Sequence, residues 1–188
     1  MFKLKNKNGQ KGTYHVLMSI MLVPLIGAIA LALDGFQIMT ANIQQDSNAE
    51  YAAIAAIKEF HTNPGNFVER TSAAARKAGA VAGSNFYIGT HHANQMPGNN
   101  FEGNDRFGEL KFGVMDSSRT FYECTTEGEY LSLKSMYPYD AVKVILKLNN
   151  DSNIKATFAS VLNIASFNSS NETMSFFDES TNTISIAR

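Results

Sequence analysis

Four places in this 188-residue chain carry side chains suited to chemistry. His91 and His92 stand side by side in "GTHHANQM", and imidazole is a common metal ligand. Adjacent side chains in an irregular segment diverge, and no third ligand follows at a useful spacing, so two solvated histidines are the plainer assignment. In "NNFEGND" the oxygen-bearing Asn99, Asn100, Glu102, Asn104 and Asp105 suit a hard cation. The segment (98–105) lacks the spaced aspartates of a dedicated calcium loop and reads as a surface turn, with a weak cation site as its alternative. Cys124 would need a basic partner to act as a nucleophile, whereas its near neighbours are Glu123 and Glu127, whose charges raise a thiol's pKa. Asp116, Glu123, Glu127 and Glu129 form an acidic neighbourhood, and paired catalytic carboxylates need an enclosing pocket that a sequence does not display. With no nucleotide-binding glycine loop, serine elbow or zinc-protease signature, the sequence predicts no catalytic residue, no cofactor and no metal. A hydrolase acting through His92 or Cys124 is the enzymatic alternative.

The elements that hold these residues divide the chain into a helical half and a strand half. "NPG" at 63–65 stops a first helix, because proline cannot donate to the helical ladder. Asn66 is placed to cap a second helix with Glu69 three residues on, and alanines from Ala73 to Ala82 give it a flat surface. The small residues Ala49, Ala52, Ala53 and Ala56 on the first helix predict close packing, either within a helical hairpin or against another subunit. Residues 89–106 lose periodicity and read as a loop. Period two then appears in Leu110, Phe112 and Val114, returns in "TFYEC" after the turn "DSSR", and recurs in "DAVKVILKL". The apolar "ATFASVLNI" and the strand candidate "TMSFF" complete the body. Helices first and strands second, without alternation, predict an α+β fold with a mostly antiparallel sheet at 107–188.

Ahead of this body, Thr13 to Leu33 is 21 residues without a charge. As a helix it spans roughly 30 Å, the thickness of a bilayer's hydrocarbon core. Lys3, Lys5, Lys7 and Lys11 precede it, and the next lysine or arginine is Lys58, so residues 1–12 are expected in the cytoplasm and the body outside. A cleaved signal peptide, with Ala30-Leu31-Ala32 at the cut, and a core helix of a soluble protein are the other two readings. The run exceeds the usual ~7–15 apolar residues of a signal. Helical spacing also continues through Phe36, Met39, Ile43, Glu50, Ile54 and Ile57, predicting one helix to about Phe60 with Pro24 as the place for a bend, and a helical region over 34–88. Beyond the lysines, 12 basic residues face 17 acidic ones, which does not suit nucleic acid. One cysteine excludes an internal disulfide. The Asn-x-Ser/Thr sites at Asn150, Asn168 and Asn171 matter only in a eukaryotic secretory pathway.

The segment "GTYHVLMSIMLVPLIGAIALALDGFQIM" resembles the amino-terminal segment of TadE/TadG-like proteins of the Tad (tight adherence, Flp) pilus system, on Gly12, Pro24, Asp34 and Gly35. "IQQDSNAEYAAIAAI" is similar to the family's continuation, with Asn48 or Glu50 in its acid slot. "GELKFGVMDSSRTF" resembles its strand-and-hairpin segment on Gly113, Asp116 and Phe121, with Met115 where tryptophan is common. "DAVKVILKL" with "ATFASVLNI" is similar to a later strand and short helix. The resemblance implies a single-pass inner-membrane minor pilin, pseudopilin or anchor with a periplasmic head, acting in pilus biogenesis and surface adherence. It implies the major Flp pilin, other Tad minor pilins or the assembly platform as hetero-oligomeric partners. A prepilin peptidase cut would fall between Gly12 and Thr13, and Leu17 stands where many such subunits carry glutamate. Asp34 is expected at the outer interface, either reached by water or docking a partner's lysine. A bulky residue at Ala53 is expected to impair assembly without unfolding the head. A secreted or periplasmic adhesin or binding domain released from a signal peptide is the alternative.

Overall fold

The computed structural model describes residues 8–83, 86–87, 90–91, 108–148, 154–155, 166–167 and 169–187. Helix α1, Asn8–Thr62, is a single helix of 55 residues that passes through Pro24 without interruption. Its most apolar stretch is 0 % buried, so a core helix is not what this run forms. From Asp34 onward one face turns inward. Asp34, Ala41, Gln45, Asn48, Ala49, Ala52, Ala56 and Phe60 recur at helical spacing along it and are all buried. Phe36, Met39 and Ile43 keep the helical spacing expected of them, and they are exposed while Ile57 is buried. From Ala41 to Ala56 alanine predominates among the buried apolar residues of α1, because a helix laid closely on a sheet leaves little room beneath it, and only at Ile57 and Phe60 do large side chains enter.

Helix α2, Phe67–Gly83, folds back on α1 through Ala74, Ala75, Ala78 and Ala82, all buried. Its start is the expected capping box. Asn66 Oδ1 accepts from the Glu69 amide at 3.0 Å, and Glu69 Oε2 accepts from the Asn66 amide at 3.2 Å. Strands β1 (Phe86–Tyr87) and β2 (Thr90–His91) form a two-residue antiparallel ladder, so the segment expected to be loop from residue 89 opens as a hairpin. The rest of that segment, including His92 and the 98–105 turn, lies outside the described residues.

The main sheet has five antiparallel strands in the order β4-β3-β5-β8-β9. They are β3 (Gly108–Met115), β4 (Phe121–Glu123), β5 (Tyr139–Leu148), β8 (Ser169–Asp178) and β9 (Thr183–Ala187), while β6 (Ile154–Lys155) and β7 (Ser166–Phe167) pair separately. The architecture is therefore α+β with a long amino-terminal helix. The alternation puts Phe112, Val114, Val142, Val144 and Leu146 on the face that meets the helices, as the period of two requires. Thr173 and Ser175 stand opposite Val144 and Val142 in the register and meet α1 with small side chains. The reverse face buries Met115, Ala141 and Ala187, with Tyr139, Met174 and Phe176 packed against them. The "TMSFF" candidate lies within β8, and "ATFASVLNI" lies outside the described residues.

One element of the body was not anticipated. Helix α3, Glu127–Lys134, starts at a second capping box, in which Thr126 accepts from the Glu129 amide and the Glu129 side chain reaches back to the Thr126 amide. The signal was present as Thr126-x-x-Glu129. Where β3 approaches β4, a side chain on Gly113 would run into the Tyr122 carbonyl, so the pairing there depends on glycine. Gly113→Ala is expected to lower unfolding free energy by about 1–3 kcal/mol, as overpacking against backbone does. Urea denaturation checks this, and an unchanged midpoint would show that the strands separate at no cost.

Candidate functional site

Two regions of the chain have properties that packing alone does not require: the lower half of α1, and a polar cluster where α1 ends. From Tyr14 to Leu33 every large apolar side chain of α1 is exposed, including Ile20, Met21 and Val23 at 66–71 %. One helix near the amino terminus is thus long and apolar enough to cross a membrane. Asp34 follows at 3 % exposure, on the same side as Ala41 and Gln45, so it is enclosed and offers no surface to a partner's lysine. Gly35 beside it is open to the outside. Gly12 and Thr13 lie within α1.

Ala49, Ala52, Ala53 and Ala56 are each 0 % exposed, enclosed by α2 and the sheet of this same chain. Ser175 Oγ donates to the Ala53 carbonyl at 2.7 Å. A bulky residue at Ala53 therefore strikes the fold itself, and any subunit surface on α1 lies elsewhere. Between Asp34 and these alanines the covered face carries the amides Gln45 and Asn48 beside Ala41. Gln45 Nε2 donates to the Leu146 carbonyl at 2.8 Å, and Asn171 Nδ2 donates to the Asn42 carbonyl at 3.2 Å.

The second region gathers at the far end of α1. Asp140, 1 % exposed, accepts from the Tyr130 hydroxyl at 2.8 Å and lies 3.1 Å from Lys134 Nζ and 3.4 Å from His61 Nδ1. Lys134 Nζ is also 2.9 Å from Glu179 Oε1. Ligand atoms of His61, Asp140 and Glu179 come within 4.8 Å of one another, the spacing of a metal site. The positive charge between the two carboxylates is Lys134's own ammonium, so these residues form an internal ion-pair network that a metal would have to break. His61 stacks on Phe177 with ring centroids 3.7 Å apart. Arg70 completes the region. Its Nε donates to the Phe60 carbonyl at 2.7 Å, and its guanidinium lies 4.1 Å from the Phe60 ring centroid. That arrangement meets both the open carbonyl at the helix end and the negative face of the ring. Burial first, and then the Asp140 charge, push the Tyr130 hydroxyl's pKa up, so it remains a donor.

The residues first considered for chemistry are scattered among structural tasks. Cys124 is buried, and burial followed by the Glu129 charge pushes its thiol up to about 11, which keeps it protonated at neutral pH. Glu123 pairs with Lys111 at 2.8 Å, and Glu129 caps α3. Asp116 Oδ1 accepts from the Ser118 and Thr120 amides, both at 2.9 Å, and so closes the β3–β4 turn. Asp178 does the same at the β8–β9 turn through the Ser180 amide at 2.9 Å. Sequence reasoning passed over Asp140, although it stands in phase with Val142, Val144 and Leu146 and was bound to face the core. Compared with protein-family models, curated proteins and solved structures, the chain matches none of them.

Asp140→Ala takes the acceptor from the buried Tyr130 hydroxyl and leaves the Lys134 ammonium with Glu179 as its one carboxylate, and is expected to cost about 2–4 kcal/mol in urea unfolding. A loss below about 1 kcal/mol would show that the network carries no stability. Hydrogen bonds hold the carboxyls of Asp116 and Asp178 below their ordinary value of 3.8, and that of Glu129 below 4.5. A depressed folded-state pKa gives stability that is complete above the ordinary value and lost as pH falls through the folded one. Thermal midpoints taken from pH 5 down to pH 2 are therefore expected to fall, and Asp116→Asn to fall less steeply than the parent chain. Equal slopes would mean that the turn bonds do not survive in solution.

Proposed function

We propose that the chain is a membrane-anchored structural and assembly component, with α1 crossing the bacterial inner membrane once and the α+β head projecting into the periplasm. On the resemblance set out above, its place is that of a TadE/TadG-like minor pilin, pseudopilin or anchor in a Tad (Flp) pilus, where it serves biogenesis and surface adherence alongside other pilus subunits. The observation that supports this most is that one unbroken helix supplies both the exposed apolar span and the buried spine of the head. The four lysines before the span favour a cytoplasmic amino terminus. The polar network around Asp140 braces the head in this reading and performs no reaction.

A released domain is the second reading. What favours it is that no residue from Tyr14 to Leu33 is buried, so a cut after Ala32 would leave the head's core whole. Intact mass and amino-terminal sequencing of the protein from membrane and sheared-surface fractions separate the possibilities. An uncut chain in the inner membrane is the result expected of an anchor. A chain beginning at Thr13 in sheared fibres would make it a processed pilin-like subunit despite Leu17, and a free form beginning near Leu33 would overturn the anchor.

A further inference from the structure

Four amide atoms on α1 are enclosed without a hydrogen bond. Asn42 Oδ1, Gln44 Oε1, Gln45 Oε1 and Asn48 Nδ2 are shut off from solvent, and among the described residues none of them has a partner. Side chains three and four apart on a helix are neighbours, about 5–6 Å between Cβ atoms, so these four residues form one connected group. The group lies where α1 crosses β5 and β8, because Gln45 Nε2 donates to the Leu146 carbonyl and Asn171 Nδ2 to the Asn42 carbonyl. An unpaired amide held away from water is costly, and native folds nearly always supply it with a partner. Four such atoms together call for a ligand.

The chemistry of the atoms decides its class. Only the NH2 of an amide donates to a carbonyl, so the bond to Leu146 fixes the Gln45 amide and leaves its Oε1 as an open acceptor, on a side chain that is 0 % exposed. Asn48, 4 % exposed and one turn further on, supplies an open donor. A ligand that serves both must donate to one and accept from the other. A cation would serve the oxygens alone, and none of the four residues carries the negative charge that would offset its dehydration. Turning the Asn48 amide over offers a cation one more oxygen and still no charge. A partner's side chain cannot reach atoms that this chain already encloses. Water donates and accepts, and inside proteins it is held by roughly two to four polar groups, as many as this group supplies. We infer that the seam between α1 and the sheet contains a built site for about one or two water molecules, bridging Gln45 Oε1 and Asn48 Nδ2, with Asn42 and Gln44 completing the shell. The contact is then wet from Asn42 to Asn48 and dry from Ala49 onward. This concerns the head alone and holds whether or not α1 is an anchor.

A crystal structure of the full chain in detergent, at a resolution that shows ordered water, tests the site. Expected is a density peak about 2.7–3.2 Å from both Gln45 Oε1 and Asn48 Nδ2. Empty density there, or a direct bond between the two amides, would overturn it. A peak that becomes an anomalous scatterer when the crystals are soaked in rubidium chloride would make it a cation site and overturn it equally. Urea unfolding of Asn48→Leu gives a second measurement in solution. Leucine keeps the branching of the side chain and removes the donor, so with water in place the substitution strips that water of a partner and the midpoint is expected to fall. In a dry seam the same change removes an unpaired amide, and an unchanged or raised midpoint would overturn the site.

Discussion

The fold depends on how closely α1 can lie on the sheet. Ser175 donates to the carbonyl of Ala53, a group already inside a helix, and that contact requires the two backbones to meet with almost no side chain between them. Small residues make it possible on both sides: alanines at 49, 52, 53 and 56 on the helix, Thr173 and Ser175 on the strand. Larger side chains would lift the helix and withdraw Phe60 from its place. Phe60 is fully buried, stacks on Phe112 of β3 at 5.2 Å, and meets Phe67 of α2 and Tyr130 of α3 edge-on at 5.8 and 5.5 Å. Four elements thus converge on the side chain that the close approach positions.

The sequence displayed the elements that carry a strong local signal. The uncharged run, the proline-glycine stop, the Asn66–Glu69 box and the period-two strands all appear where composition and spacing put them, because each depends on backbone chemistry within a few residues. Two features were not foreseen, for different reasons. Helix α3 is eight residues long and contains Gly128, so its propensity is low, and a cap and the burial of Tyr130 hold it in place. The phase of α1 was not foreseen, because the spacing announces a helix and not which side of it is covered. Phe36, Met39 and Ile43 face outward, while Gln45 and Asn48 face inward.

The candidate site was legible in one respect only, the exposed span. The Asp140 network draws on α1, α3, β5 and the β8–β9 turn, so its members lie up to 118 positions apart, from His61 to Glu179. No local pattern links them. Asp140 alone carried a trace, an acid in phase with a core strand, and a buried acid in such a place calls for cationic or hydroxyl partners from elsewhere in the chain. The alanines show the converse. Their spacing announced close packing, and whether the partner surface was this chain or another was settled by the sheet, whose position relative to α1 is a tertiary fact.

If α1 crosses a membrane, its continuity decides how the head responds to force. Burial begins at Asp34, one residue after Leu33, so no flexible linker separates span from head. Turning the head about the anchor would require breaking a turn of helical hydrogen bonds, and a partner's pull is therefore carried as tilt or rotation of the whole molecule. The contact between α1 and the sheet is nevertheless uneven. From Ala49 to Phe60 it is apolar and continuous, whereas from Asn42 to Asn48 it consists of amides, with single bonds from Gln45 to Leu146 and from Asn171 to Asn42. Apolar area is what holds surfaces together in water. Any separation of sheet from helix therefore starts at the membrane-proximal end and stops at the alanines, because Ala53, Ser175 and the ring of Phe60 give way only with the whole fold.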